Sequence, residues 1–190
     1  DNDPQEKAVG HSLRMAVVHV ETAMPDLTPV RIHVLDTPGY PDYVGQSLSA
    51  LDAVKSVAVV VDATKGIELM TRRMMKWAEE RGLCRIIIIN KIDAPDVDLA
   101  GILKELQETF GSAVLPINLP TKGATRVIDC FDRDHGDADI MSVHDVHRAF
   151  IERVVEVDDE TMERYLEEGD ADPATLHAPI TKALREGHII

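Results

Sequence analysis

The chain has 190 residues, 44% of them hydrophobic, which is enough to build a folded core and too many for a disordered chain. Its formal net charge of −14 argues against broad binding of nucleic acid, because phosphate contacts need clustered Lys and Arg. Two widely separated cysteines, and apolar runs too short to span a bilayer, favour a cytoplasmic protein with no membrane partner.

A hairpin and a helix are predicted at the start of the chain. Residues 13–20 and 30–35 are rich in β-branched side chains and predict two paired strands, joined by a turn at residues 25–26. Residues 44–51 carry apolar side chains at helical spacing. The first 51 residues are therefore predicted to form a β-hairpin followed by a helix.

The middle of the chain alternates strand and helix. Unbroken apolar runs at residues 57–61 and 85–89 predict strands that are buried on both faces of a parallel sheet. Helical spacing predicts helices over residues 67–81 and 99–110, each followed by a glycine. A further short strand is predicted to begin at residues 114–115. This order is typical of an α/β fold with right-handed crossovers.

Polar residues follow three of the predicted strands. Asp36, Asp62 and Asn90 each stand directly after an apolar run. In open α/β sheets, ligands bind at the carboxyl ends of the strands. We therefore expect these three residues to lie along one rim of the sheet.

After Pro116 the alternation of strand and helix stops. The remaining residues, called the tail, begin with a loop-rich stretch that contains a short strand predicted at residues 126–131. Three helices follow, with Ser142 and Asp158 as caps of the first two and residues 172–173 as the start of the third. These features predict two domains. The first spans residues 1–116, and an inserted, mainly helical subdomain spans residues 117–190.

Residues 86–94, IIIINKIDA, place Asn90, Lys91, Ile92 and Asp93 between a buried strand and a helix. A carboxylate such as Asp93 can accept hydrogen bonds from guanine N1–H and its amino group together, and adenine cannot supply this pair. Lys91 can lay its alkyl stem over the base, and Asn90 can tie neighbouring loops. The competing interpretation is an Asn cap with solvated charges, but the position after a buried strand favours guanine binding.

Residues 34–43, VLDTPGYPDY, contain a second candidate loop, Asp36, Thr37, Pro38 and Gly39. Asp36 at a strand end can hold Mg²⁺, usually through a water. Gly39 has no Cβ, so its N–H can approach a γ-phosphate closely, and loss of that phosphate would release the loop. The competing interpretation is a tight turn built from Asp, Pro and Gly.

These motifs, in this order and spacing, resemble the GTPase domain of translation elongation factor G, and most closely its elongation-factor-G-like paralogues. The matching stretches are DTPGY, VVVDATKGIE and IIIINKIDA, and in the tail VIDCFD, VDDETMERYLEEGD and ITKALREGHII. The resemblance implies a P-loop GTPase-type α/β fold, with a mostly parallel sheet, flanking helices and an inserted helical subdomain. It also implies GTP or GDP and Mg²⁺ as ligands, and the ribosome and its stalk as partners. The implied GTP-binding residues are Asp36, Thr37, Pro38, Gly39, Tyr40, Asn90, Lys91, Ile92 and Asp93, with Asp36 as the residue that holds Mg²⁺.

The sequence departs from the family at its phosphate-binding positions. It contains no Gly-Lys-Ser/Thr, so we expect a fragment without the first strand and phosphate loop, inactive on its own although its parent hydrolyses GTP. Gly10 stands where the family has a Mg²⁺-binding Thr, and Ser12 is the nearby hydroxyl that could replace it. The alternative function is a non-enzymatic interaction module with vestigial nucleotide loops, docking a ribosomal or other protein.

Tyr40 is the candidate catalytic residue, because the resemblance places it where the family has a His that orients the attacking water. A phenol has a pKa near about 10 and is a poor base at neutral pH, but it can hydrogen-bond a water. The competing interpretation is that Tyr40 packs beside Tyr43 and orients nothing.

Two further clusters suggest metals but have simpler explanations. Four aspartates between residues 132 and 139 do not have EF-hand spacing, and a solvated acidic turn accounts for them. His144 and His147 lie three residues apart on a predicted helix with no third ligand in the pattern. Both clusters are interpreted as ordinary surface features.

Overall fold

The computed structural model describes residues 3–23, 28–168 and 176–190. The predicted turn at residues 25–26 and the predicted helix start at residues 172–173 lie outside the described residues. Among the described residues, no helix has both the length and the apolar character needed to cross a bilayer. The chain forms two compact units, Asp1–Lys55 and Ser56–Ile190.

The described residues of the first unit form two helices and the predicted hairpin. Its elements are α1 (Pro4–Val9), β1 (Ala16–Ala23), β2 (Pro29–Asp36), a 3-10 turn (Pro41–Tyr43) and α2 (Val44–Leu51). The hairpin is antiparallel, as predicted. Helix α1 is not predicted from the sequence, because its six residues are too few to show an apolar period. Asp3 begins α1 by accepting a 2.8 Å hydrogen bond from the Gln5 N–H, and Gly10 ends it with a left-handed φ of 75°.

The second unit combines helices with a parallel sheet and a small hairpin. Its described elements are β3 (Ser56–Asp62), α3 (Leu69–Glu80), β4 (Cys84–Asn90), α4 (Leu99–Phe110), β5 (Asn118–Thr121), β6 (Arg126–Asp129), α5 (Val143–Val155), α6 (Asp159–Glu168) and α7 (His177–Glu186). The predicted α/β class, with helices beside a parallel sheet, is confirmed.

The strands β3 and β4 pair in parallel register, but they are buried on one face only. Val59 on this face shares a hydrophobic cluster with Met75 of α3 and Leu106 of α4. On the other face, Val60 is 58% exposed and Ile88 is 46% exposed. The prediction that both faces are buried is therefore wrong for this structure, because α3 and α4 pack against the same face.

The tail forms its own hydrophobic clusters around the three predicted helices. Phe150 of α5 meets Phe131 edge-to-face, with ring centroids 5.8 Å apart. Ser142 caps α5 by accepting a hydrogen bond from the Asp145 N–H, and Asp158 accepts one from the Thr161 N–H at the start of α6. Both predicted caps are confirmed.

The strand predicted to begin at residues 114–115 does not form. The backbone there instead binds the last residue of the chain: Ile190 N–H donates to Ala113 O at 2.8 Å, and Leu115 N–H donates to Ile190 O at 3.3 Å. The next strand is β5, which pairs with β6 from Asn118 to Thr121. The predicted boundary after residue 116 stays a prediction.

Met75 gives a test of the one-sided sheet core, because its side chain is fully buried in α3. We expect Met75→Ala to lower the free energy of unfolding by about 2–5 kcal/mol through lost contacts and a residual cavity. Urea unfolding followed by the fluorescence of Trp77, the single tryptophan, reports on this unit. The exposed neighbour Lys76→Ala is the control, expected within about 0.5 kcal/mol of wild type. A loss below about 1 kcal/mol for Met75→Ala would contradict the packing.

Candidate functional site

The parallel register of β3 and β4 brings two of the predicted polar residues together. Asp62 is the partner of Asn90 at the carboxyl end of the pair, and the Ala63 N–H donates to Asn90 O at 2.9 Å. The expectation that these two lie on one rim is confirmed. Asp36 belongs to the other unit, so its place on that rim stays a prediction.

An ion pair joins the two strand ends. Lys91 Nζ lies 2.6 Å from Asp62 Oδ2, and Asp62 Oδ1 accepts hydrogen bonds from Thr64 N–H and Thr64 Oγ1. The hydrogen bond from Lys91, followed by those from Thr64, holds the pKa of the Asp62 carboxyl well below its usual range. The Asp62 carboxylate and the Lys91 ammonium therefore form an ion pair at this end of the sheet.

Residues 90–94 form a tight turn directly after β4. The Ala94 N–H donates to Lys91 O at 3.1 Å, and the Asn90 side chain accepts a hydrogen bond from the Lys91 N–H. Lys91 has a left-handed φ of 58°, which is uncommon for a residue with a Cβ. Asp93 is exposed, so its carboxylate is accessible to a ligand that offers two adjacent N–H donors. The main-chain oxygen of Asn90 binds the residue after β3, and the predicted role of its side chain in tying loops stays a prediction.

The first candidate loop begins at the end of β2. Asp36 is exposed, whereas Pro38 is buried and its carbonyl accepts a 3.3 Å hydrogen bond from Ser47 of α2. Gly39 does not have a left-handed φ, and a Cβ added there would meet no described atom within 4 Å. The described residues therefore leave room for a side chain at this position, and the predicted role of Gly39 stays a prediction.

Tyr40 is 53% exposed and its nearest aromatic partner is His11. The two ring centroids lie 4.3 Å apart, while His11 and Tyr43 are 6.4 Å apart. His11 Nδ1 lies 3.2 Å from Ser12 O, so it carries the proton and donates, because a carbonyl only accepts. The His11–Tyr40 contact could not be predicted from the sequence, since the two residues are far apart in the chain and no spacing rule connects them.

Two polar side chains hold the segment that precedes β1. Glu6 is only 6% exposed, and its carboxylate accepts hydrogen bonds from Leu13 N–H at 2.8 Å and Arg14 N–H at 3.0 Å. Gln46 of α2 accepts from Met15 N–H and donates to Leu13 O. Neither contact could be predicted from the sequence, because each side chain binds backbone atoms that are distant in the chain.

The histidine pair on α5 has a structural partner. His147 Nδ1 donates to Cys130 O at 2.8 Å, which ties α5 to the end of the β5–β6 hairpin. His144 is exposed beside Asp145. In the part of the chain that the structure describes, no three His, Cys, Asp or Glu side chains form a group suited to a metal ion.

Residues 1–183 match the family model described as the elongation factor Tu GTP binding domain. The chain is 26% identical over 202 residues to an elongation factor G-like protein of Thermotoga maritima, covering 100% of this chain and 29% of that protein. It is 31% identical over 147 residues to peptide chain release factor 3 of Lactococcus lactis subsp. cremoris, covering 77% of this chain and 27% of that protein.

A solved structure is similar over the whole chain. The crystal structure of a protein from Thermus thermophilus has a TM-score of 0.81 and 28% identity, covering 100% of this chain and 30% of that one. The chain therefore spans less than a third of the length of these three relatives.

The Glu6 contacts give a test of how firmly the segment before β1 is held. We expect Glu6→Ala to speed hydrogen exchange of the Leu13 and Arg14 amides at least about tenfold, because both lose their acceptor. Exchange measured residue by residue by NMR checks this. Glu21→Ala removes an exposed carboxylate that pairs with Arg31, and it is expected to leave those two amides unchanged. Equal exchange in Glu6→Ala and wild type would contradict the role of Glu6.

Proposed function

The chain belongs to the elongation factor Tu GTP-binding domain family, and we propose that it forms part of a ribosome-associated translational GTPase of the elongation-factor-G-like type. In this proposal the full-length protein binds GTP and GDP and hydrolyses GTP. The observation that carries it is the turn at residues 90–93, which follows a parallel strand and presents an exposed carboxylate beside a fixed lysine.

The turn supplies guanine recognition. Asp93 would accept hydrogen bonds from guanine N1–H and the adjacent amino group, and this pair excludes adenine. Lys91 would cover the base with its alkyl stem, while Asn90 and Ile92 shape the turn. Since the site is built from paired hydrogen bonds, a base that lacks them leaves the carboxylate unmatched.

The loop after β2 supplies phosphate sensing and water positioning. In hydrolysis, the water oxygen forms a bond to the γ-phosphorus. The bond between the γ-phosphorus and the oxygen that bridges it to the β-phosphate breaks, which gives GDP and phosphate. The Gly39 N–H would donate to the γ-phosphate, with Thr37 and Pro38 shaping the loop, and the Tyr40 hydroxyl would hydrogen-bond the water. Release of phosphate removes the acceptor of Gly39 and frees the loop.

Asp36 fits the Mg²⁺ that this family implies. Mg²⁺ is commonly bound by one or two carboxylates together with phosphates and waters, so a single exposed carboxylate at a strand end is a suitable ligand. When bound, Mg²⁺ supplies positive charge that neutralises the phosphate oxygens. Asp36 itself would hold the ion and restrict where the phosphates lie.

The ribosome, including its stalk, is the proposed partner, and the cytoplasm is the proposed location. The names of the relatives, an elongation factor G-like protein and a peptide chain release factor, support a role in translation. The net charge of −14 makes protein contacts, rather than broad contacts with RNA, the expected contribution of this segment.

Calorimetric titration with GTP and Mg²⁺ compares nucleotide binding by the 190-residue chain with nucleotide binding by the full-length protein. The 190-residue chain has no Gly-Lys-Ser/Thr to contact the phosphates, so we expect binding weaker than about 1 μM and no hydrolysis. The full-length gene product is expected to bind GDP and GTP at least about tenfold more tightly. Sub-micromolar binding by the short chain would contradict the first expectation. A full-length protein that binds neither nucleotide would instead favour a non-enzymatic interaction module with vestigial loops.

Tyr40 is tested by removing only its hydroxyl. We expect Tyr40→Phe in the full-length protein to lower kcat about tenfold, which is about 1.4 kcal/mol, because one hydrogen bond to the water is lost. Single-turnover phosphate release measures the effect. Tyr43→Phe removes the neighbouring hydroxyl and is expected to keep the wild-type rate. An unchanged rate in Tyr40→Phe would show that the hydroxyl does not orient the water.

A further inference from the structure

We propose that Asp62 is a positioning residue for base recognition: it anchors the Lys91 ammonium so that the lysine stem is held as a platform for the guanine ring. This inference rests on the proposed function and adds a residue outside the predicted guanine-binding turn. It derives from the 2.6 Å contact between Lys91 Nζ and Asp62 Oδ2.

The sheet fixes the backbones that carry the two side chains. Asp62 and Asn90 are register partners, and the hydrogen bond from Ala63 N–H to Asn90 O extends the pairing by one residue. Lys91 follows directly. The separation of the two Cα atoms is therefore set by the parallel ladder and does not depend on a flexible loop.

Asp62 is itself held in one orientation. Thr64 binds Oδ1 through its N–H at 2.9 Å and its hydroxyl at 2.6 Å, and this leaves Oδ2 for Lys91. The Asp62 side chain is 18% exposed, so it has little room to turn towards solvent. The two carboxylate oxygens thus have separate partners, and the one that binds Lys91 points in a fixed direction.

Lys91 is held at both ends but open along its length. Its Cα lies in a turn with a φ of 58°, its Nζ is bound by Asp62, and its side chain is 59% exposed. The four methylene groups between these ends form an accessible apolar surface, suited to the face of a flat heteroaromatic ring. A lysine already fixed in this way loses fewer rotamers when a base binds, which favours affinity.

The competing explanation is an ion pair without functional consequence, since exposed pairs often contribute little. The two explanations differ in one respect. If Asp62 acts through Lys91, removing its charge affects binding only while the ammonium is present. If Asp62 only supports the local fold, the effect does not depend on Lys91.

A double-mutant cycle in the full-length protein separates them, with the dissociation constant for GDP as the readout. In Asp62→Asn, the amide oxygen keeps the Thr64 hydrogen bonds, but the NH₂ group meets the ammonium. We expect Asp62→Asn to weaken GDP binding about three- to tenfold. Lys91→Met keeps an apolar stem without the charge. In that background, Asp62→Asn is expected to change binding by less than about twofold.

Two further variants serve as a control for loss of charge and as a second, independent perturbation of Asp62. Asp96→Asn removes the same charge from an exposed carboxylate in the following loop, and is expected to bind GDP within about twofold of wild type. Thr64 is exposed, and Thr64→Val removes the hydroxyl that donates a hydrogen bond to Asp62 Oδ1. It is expected to weaken GDP binding in the same direction as Asp62→Asn, but less, and it remains informative if Asp62→Asn fails to fold.

The outcomes distinguish this inference from the proposed function. Asp93→Asn should lose GDP and gain xanthosine diphosphate, because an amide can donate to the carbonyl that xanthine has in place of the amino group. If wild type does not bind GDP, or Asp93→Asn does not change base preference, the proposed function fails. If both behave as expected, the inference is overturned in either of two cases: Asp62→Asn and Thr64→Val bind GDP like wild type, or Asp62→Asn weakens binding equally with and without the Lys91 charge.

Discussion

The in-register parallel pairing of β3 with β4 is the constraint on which the second unit depends. It aligns seven residue pairs, from Ser56 with Cys84 to Asp62 with Asn90. The alternation of side chains along a strand then turns Val57 and Val59 of β3, and Ile87 and Ile89 of β4, towards the helices. The same register ends both strands at one level, so the polar residues that follow them meet. A shift of one residue would expose the core face and separate Asp62 from the turn after Asn90.

Two adjacent residues, Ile189 and Ile190, pack into different parts of the core. Ile190 is 8% exposed in the cluster formed by β3, α3 and α4, while Ile189 is 2% exposed in the cluster formed by α5 and α7. Adjacent residues therefore belong to two clusters. Gly187 permits this, because its left-handed φ of 76° ends α7 and redirects the backbone towards Ala113. The tail has its own cluster, but its last residues also stabilise the sheet.

Local patterns predicted most of this fold, and long-range pairing explains what they missed. The strands β3 and β4 and the helices α3 and α4 follow from apolar periodicity, and the Ser142 and Asp158 caps follow from local hydrogen bonding. The strand expected at residues 114–115 does not form, and the backbone there is hydrogen-bonded to Ile190, a contact that local patterns do not reveal. For the candidate site, the motif at residues 90–93 could be found by its order and spacing. The contacts made by Asp62, Glu6 and His11 could not, since each joins residues that only the folded chain brings together.

The turn after β4 combines two features that stability alone does not explain. A left-handed φ at a residue with a Cβ costs free energy, and such strain is concentrated where a side chain must point in a required direction. Lys91 is exposed, and solvent screening weakens the bond from its ammonium to Asp62 as a source of stability. Together, the backbone conformation of Lys91 and its bond to Asp62 fix both ends of the lysine side chain and leave its methylene groups accessible. A binding surface that is ordered before its ligand arrives loses less entropy on binding, so the arrangement favours recognition over stability.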